Sequence, residues 1–283
     1  MAAGFGLIEL MIAMVLGLLV LGAAIAVFQS NQRSYRSNEG VNRVQEGARV
    51  AYEMMSRDIR SAGTSACTNE GSVLGTDANS VAFRAPLAGT ASTVTAVAAD
   101  DQSYRVESAD ASSVTLVPVA GFTPSDIFQA NRIVMVCNGS MAGFTTVLST
   151  AGNVVTFKDP LEFDPSDTER AAPGSISIAL FRNAQWSVAA NGRESGSSLW
   201  VNRNGQGNQE VADGVQSLAL TYRQFAGGNP AAYVSNPSDF NFVDGVRLGV
   251  AIRAPAPREV GDTGVTWITR NASATVGVRS RSL

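Results

Sequence analysis

The sequence predicts an α+β protein in which one long N-terminal helix packs on a β-rich antiparallel head domain. Residues 5–28 form an apolar run with one charge, Glu9. Residues 29–63 repeat apolar or small side chains every three or four positions, and short alternating or β-branched runs follow from about residue 64. We therefore expect residues 1–4 to precede a membrane helix at 5–28, which is followed by an amphipathic helix at 29–63 and an extracytoplasmic head at 64–283.

The apolar run is long enough to cross a bilayer. At about 1.5 Å of rise per residue, residues 5–28 span about 36 Å, against about 30 Å for the hydrocarbon core. A secretory signal peptide is the competing interpretation, but it requires a basic segment before the apolar run and small residues at a cleavage site after it. The sequence here has only Met1, Ala2, Ala3 and Gly4 before the run and "VFQSNQRSYR" at its end, so a membrane helix is favoured.

Glu9 is the candidate functional residue of this helix. An ionisable side chain inside a membrane costs about 3 kcal/mol at the centre and less near an end, so it indicates a functional role. The alternative is that Glu9 only extends its carboxylate to the lipid headgroups.

The stretch "GFGLIELM" from Gly4 resembles the class III signal of type IV prepilins and pseudopilins, in which Gly is followed by F-T-L-I-E. The resemblance implies cleavage after Gly4 by a prepilin peptidase and N-methylation of Phe5. Glu9 would then be the fifth residue of the mature chain, where it meets the N-terminal amine of a neighbouring subunit. Gly6 replaces the commoner Thr, and the leader lacks Lys and Arg, which is consistent with a natural start further upstream.

The segment after the membrane run is expected to continue the same helix. Its apolar or small residues fall on one helix face: Val41, Val44, Ala48, Ala51, Met55 and Ile59. Gly63, after the cations Arg57 and Arg60, predicts the end of the helix. An unbroken helix over 5–62 would be about 87 Å long, although the glycines at 17, 22, 40 and 47 predict local melting.

The head is predicted to be antiparallel β-sheet. Runs such as "SVAFR", "RIVMVC", "SISIALFR", "AQWSV" and "VQSLALTYR" are separated by Gly, Asn, Asp and Pro. Val246, Leu248, Val250 and Ile252 alternate with other residues, as in a strand with one buried face.

Composition lowers the expectation of an enzyme. The chain has no histidine, the commonest general base and metal ligand, and no nucleotide-binding glycine loop. Its net charge of −3 gives no electrostatic signature of nucleic-acid binding. We therefore expect no catalytic residues, no cofactor and no nucleic-acid partner.

Cys67 and Cys137 are the only cysteines, and in an extracytoplasmic head they are expected to form one disulfide. A metal site with two cysteines and no histidine is the disfavoured alternative. The bond would link the chain just after the helix to the end of a strand.

The acidic stretch "DPLEFDPSDTE" is a weak candidate for calcium, through Asp159, Glu162, Asp164 and Asp167, with Glu169 following. It lacks the spacing of a calcium-binding loop and contains two prolines, so a solvated loop without metal is favoured.

The C-terminal third extends the resemblance. "EVADGVQSLALTYR", "DGVRLGVAIRAP" and "ASATVGVRSRSL" resemble a conserved run of PilW-type minor pilins and of J-type pseudopilins. Within the first stretch, Asp213 and Gly214 are expected to form a turn before the strand that starts at Val215. These residues are interpreted as structural.

Together the two resemblances imply a minor pilin of a priming or tip complex in type IV pilus assembly. Its partners would be other minor pilins, the major pilin, a tip adhesin and the processing peptidase. Before assembly it would lie in the inner membrane with its head in the periplasm, and after assembly at the pilus tip. Leu7, Met11, Met14 and Leu18 would pack against neighbouring helices. The alternatives are a J-type pseudopilin of type II secretion and a bitopic membrane protein with a periplasmic binding head.

Overall fold

The structure is a computed structural model that describes residues 6–67, 72–139, 141–167, 175–225, 232–256 and 265–281. The helices are α1 (Leu7–Ser61), α2 (Ala78–Arg84) and α3 (Pro124–Ile127), with 3₁₀ turns at Phe240–Phe242 and Arg279–Arg281. The strands are β1 (Ser72–Val73), β2 (Leu87–Gly89), β3 (Val94–Ala109), β4 (Ser113–Leu116), β5 (Ile133–Cys137), β6 (Met141–Ala151), β7 (Val154–Phe157), β8 (Ser177–Ala190), β9 (Ser197–Arg203), β10 (Asn208–Asp213), β11 (Val215–Gln224), β12 (Ala232–Val234), β13 (Val243–Pro255) and β14 (Trp267–Gly277). The expected long helix and β-rich antiparallel head are confirmed.

Helix α1 is continuous over its 55 residues, so the expected local melting at its glycines is wrong. Gly40 and Gly47 lie against the head, where a Cβ atom would come within 3.1 Å of the Pro255 carbonyl oxygen and 2.8 Å of Ile252 Cδ1, respectively. Glycine at these positions lets the helix approach the sheet closely. Packing there offsets the low helix propensity of glycine.

The second half of α1 buries the face that the sequence predicts. Val44, Ala51, Met55 and Ile59 are at most 1% exposed, and their neighbours on that face are half-buried. At roughly 1.5–3 kcal/mol for each large apolar side chain removed from water, this face alone gives the helix a firm attachment to the head.

The first part of the head is a closed ring of strands. The pairings run β3–β4–β7–β6–β5–β8 and return from β8 to β3, and each pair is antiparallel. The ring encloses a core that includes Phe128, Val134, Val136, Val155 and Phe157. Strands β9 and β10 extend outward from β8, β2 lies beside β3, and β1 pairs with β6 in parallel.

The second part of the head is a four-stranded antiparallel sheet in the order β12–β11–β13–β14. Its inner face and the second half of α1 share one core. Tyr222 on β11 is fully buried, and its hydroxyl hydrogen-bonds the carbonyl oxygens of Thr90 at 2.8 Å and Thr93 at 3.1 Å. This contact joins the two sheets, and burial raises the pKa of the Tyr222 phenol.

The run "SVAFR", expected as a strand, instead forms most of helix α2. The Asp77 carboxylate accepts hydrogen bonds from the N–H groups of Asn79 at 2.9 Å and Ser80 at 3.1 Å, which caps the first turn. Phe83 is then buried against the ring. The runs "SISIALFR" and "AQWSV" contribute to a single strand, β8.

The turn expected at Asp213 and Gly214 is present between β10 and β11. Gly214 has φ +77°, and its N–H donates to the Asp213 carboxylate at 2.8 Å. A Cβ atom on Gly214 would collide with the carbonyl oxygen of Arg253. Glycine is therefore required here by backbone conformation and by space.

We expect Gly214→Ala to lower the melting temperature of the head more than Gly192→Ala does. Both glycines have positive φ, so both variants incur about 1–2 kcal/mol of backbone strain. Only Gly214 adds the collision, because no atom lies within 4 Å of a Cβ on Gly192. Thermal melting followed by near-UV circular dichroism measures the difference, and equal melting temperatures for the two variants would contradict it.

Candidate functional site: the exposed half of helix α1 and its junction with the head

None of the residues that the structure describes packs around the first half of α1. Every residue from Gly6 to Arg36 is exposed, including Leu7 at 81%, Met14 at 64% and Leu18 at 69%. The most apolar 18-residue window has a mean hydropathy of 2.8 and none of it is buried. Length and composition therefore allow this helix to cross a membrane, as they would also allow a signal sequence.

Glu9 lies in the first turn of α1, with its side chain beside the helix start. Its carboxylate accepts a hydrogen bond from the Gly6 N–H at 3.3 Å. Within the described residues, no cation forms an ion pair with it. Gly4 and Phe5, where processing is expected, lie outside the described residues. A carboxylate on an apolar helix in this position can bind a cation that another molecule supplies.

Asp58 joins α1 to the ten-stranded sheet. Its carboxylate is 2% exposed and accepts a hydrogen bond from Trp186 Nε1 at 3.0 Å. Arg203 lies 3.3 Å away and Arg182 lies 3.6 Å away. Sequence reasoning missed Asp58, because nothing in its local pattern shows that two arginines and a tryptophan from β8 and β9 will surround it.

A bulge in β3 adds a second polar contact at this junction. Between Ala99 and Ser103 the register with β8 shifts, and Asp101 lies in that bulge. The Asp101 carboxylate pairs with Arg57 on α1 at 2.6 Å and with Arg182 at 3.3 Å. Burial alone would raise the pKa of Asp101, but Arg182 and Arg57 outweigh that effect and hold it below the usual value of 3.8.

Cys67 and Cys137 form the expected disulfide. The bond links the segment that follows α1 to the last residue of β5, 70 residues further along the chain. It therefore connects the end of the helix covalently to the strand ring. In the chain-entropy account, closing a loop of this length stabilises the fold by about 4 kcal/mol.

The carboxylates of the acidic stretch do not come together in the part of the chain that the structure describes. No group of three or more His, Cys, Asp or Glu side chains that could hold a metal ion lies there. Glu162 accepts a hydrogen bond from the Thr76 N–H at 3.3 Å, and Asp164 accepts from the Ser166 N–H at 2.9 Å. Asp159 contributes its carbonyl oxygen to a bond with the Thr145 hydroxyl at 2.6 Å. Glu169 lies outside the described residues.

Comparison with known proteins finds no family model, no curated protein and no solved structure that matches this chain. In the ranges that the structure describes, the chain combines one helix near the N-terminus that is long and apolar enough to span a membrane with a β-rich head that contains a disulfide.

We expect Asp58→Ala to destabilise the head by about 3–5 kcal/mol, because it leaves arginine charges facing an uncharged gap. Asp58→Asn should cost less, since its amide oxygen can still accept the hydrogen bond from Trp186. The matched control is Glu53→Ala, a residue on the same helix whose side chain is 73% exposed. Urea unfolding followed by tryptophan fluorescence measures these effects. A cost for Asp58→Ala no larger than that of the control would show that the junction does not depend on the carboxylate.

We expect Asp101→Asn to destabilise the head at neutral pH and to have less effect in acid. A carboxyl group whose pKa is lowered by folding contributes stability above its unfolded pKa of about 3.9. That contribution is lost as pH falls through the lower folded value. The unfolding free energies of the variant and the original chain should therefore converge as pH falls from about 7 to below about 3.9. A difference that stays constant over this range would exclude a role for the Asp101 charge.

Proposed function

We propose that this protein is a minor pilin of the PilW type, which joins other minor pilins in the complex that initiates type IV pilus assembly. The observation that carries the proposal is the sequence Gly4 to Glu9 at the start of an exposed apolar helix. Support also comes from the continuity of α1, which connects this segment to a head of antiparallel strands.

The proposed mechanism begins in the membrane. The apolar half of α1 inserts with the head outside the cytoplasm, and a prepilin peptidase cleaves after Gly4 and methylates the amine of Phe5. Glu9 then pairs with the terminal amine of a neighbouring subunit. Both charges are costly in lipid, and bringing them together offsets part of each cost. Leu7, Met11, Met14 and Leu18, all exposed in the isolated chain, pack against neighbouring helices.

Purification of the tagged full chain from its native membranes tests the proposal. Mass spectrometry would identify the N-terminal residue and the co-purifying proteins. A methylated Phe5 terminus with pilin partners supports the minor-pilin function, and partners from a secretion apparatus indicate the J-type pseudopilin instead. An uncleaved chain without pilin-like partners would leave a bitopic membrane protein and would refute the proposal.

We expect Glu9→Ala to reduce co-purification of partner pilins by at least about tenfold, because it removes one member of an ion pair buried in lipid. Membrane insertion and head stability should not change, since the substitution makes the helix more apolar and lies far from the head. Glu39→Ala is the matched control, because Glu39 is on the same helix and its carboxylate pairs with Arg43 at 2.6 Å in an exposed position. Normal partner recovery with Glu9→Ala would exclude the assembly role of this residue.

A further inference from the structure

In the described ranges, the strands at the ends of the two sheet orders differ in how well they are protected from pairing with another chain. Strands β2 and β12 are three residues long. Strand β10 has six residues, with a register shift between Glu210 and Ala212 and acidic side chains. Strand β14 has 11 residues, pairs with β13 in unbroken register and carries one charge, Arg270. Short length, bulges and charges normally prevent pairing at an edge, and β14 largely lacks these features.

The hydrogen-bonding pattern shows which groups of β14 face outward. Thr266 accepts a hydrogen bond from the Ala256 N–H at 2.7 Å, and the Val278 N–H donates to Asp244 at 2.9 Å. Because bonding alternates along an antiparallel strand, the even-numbered residues between them bond to β13. The odd-numbered residues direct their N–H and C=O groups to the free edge: Trp267, Thr269, Asn271, Ser273, Thr275 and Gly277. No described strand lies beyond this edge.

The core next to this edge is open. The side chains of Ala272 and Ala274 point to the α1 side of the sheet, like their buried partners Val250 and Leu248 on β13. Because both alanines are small, an apolar groove of about 250 Å³ remains between β14 and α1, where Tyr52 is only half-buried. A strand added beside β14 would direct alternate side chains into this groove.

One positive charge lines the groove, and a second lies beside it on the same face of β14: Arg49 is part of the lining, and Arg270 comes two residues before Ala272. Arg49 on α1 is 75% exposed, and its nearest carboxylate, Glu53, is 4.0 Å away. Arg270 is exposed and forms no ion pair with any residue in the described ranges. An incoming strand with a carboxylate on its groove side would therefore complement this edge.

Strand direction argues against a second copy that pairs through the same edge. Ile268 contacts Gly40, and the Ser280 hydroxyl donates to the Ala62 carbonyl at 2.7 Å, so α1 and β14 run in the same direction. Antiparallel pairing of two β14 edges would point their two α1 helices in opposite directions, which the membrane anchorage in the proposed function does not allow. Parallel pairing would rotate one head by half a turn about the strand axis. The face of its β14 that carries Asn271 and Ser273 would then lie beside the apolar groove of the other copy and cover it with polar side chains.

We propose that the free edge of β14 receives a β-strand from a protein other than a second copy of this chain. The alternate apolar side chains of that strand fill the groove against α1, and its carboxylate pairs with Arg270 or Arg49. Only the exclusion of a second copy rests on the proposed function, since the edge and the groove belong to the head itself.

A tethered strand tests whether the edge accepts a partner. The probe is the peptide Thr-Val-Thr-Glu-Thr-Val-Thr, fused after Leu283 of the full chain through a flexible Gly/Ser linker. Residue-resolved hydrogen exchange in detergent should show the odd-numbered β14 amides at least about tenfold slower with the probe than with the linker alone, since tethering gives millimolar effective concentrations. Unchanged exchange would overturn the proposal.

Two matched variants separate edge pairing from other effects. Ser273→Pro removes an N–H that points to the edge without removing a bond to β13, so it should abolish protection while Ser273→Val retains it. A probe with Lys in place of Glu should protect less, and the double variant Arg49→Glu/Arg270→Glu should reverse that preference. A preference unaffected by the double variant would refute the proposed charge pairing.

The native complex provides the decisive comparison. The odd-numbered β14 amides should exchange more slowly in the complex purified from membranes than in the isolated full chain. Equal exchange would overturn the proposal, and so would protection that arises from self-association of the isolated chain, measured by sedimentation. Because the tethered-strand experiment requires neither cleavage after Gly4 nor Glu9, its failure is distinguishable from failure of the proposed function.

Discussion

The buried carboxylate of Asp58 is the contact on which the relation between helix and head depends. One acidic side chain on α1 contacts Trp186, Arg182 and Arg203, so the helix has one rotation and one height at which this charge is satisfied. Apolar packing by itself tolerates small sliding movements, whereas a buried charge does not, since any displacement leaves it unpaired. Asp101 and the disulfide act close to the same point and restrict the chain where it leaves the helix.

The same helix has two surroundings that place opposite demands on its sequence. The part before Arg36 exposes apolar side chains, whose contact with water is unfavourable and whose contact with lipid or with neighbouring helices is favourable. The part after Gly40 buries one narrow face and keeps charged residues on the other. A continuous helix between the two parts means that the position of the exposed apolar part also fixes the position of the head.

Sequence patterns predicted the elements whose signal is local. The face of α1 with Val44 and Met55, the end of the helix near Gly63, the turn at Gly214 and the disulfide all follow from spacing, backbone preference or cysteine number. The strand ring and the surroundings of Asp58 did not, because they include pairings between residues that lie more than 70 positions apart. The interpretation of "SVAFR" as a strand failed because the Asp77 cap and the burial of Phe83 outweighed β propensity.

The continuity of α1 between Phe28 and Gly40 has a rotational consequence. Each residue of a helix advances about 1.5 Å and turns about 100°, so the direction in which the head faces is fixed relative to Glu9 by the number of residues between them. One residue more or fewer in this polar segment would turn the head by about 100° around the helix axis while leaving both surfaces chemically unchanged. Four residues would bring it back to within about 40°, with the head about 6 Å further from the apolar part of the helix. The length of this segment thus sets the direction in which the head faces as well as its distance from the apolar part.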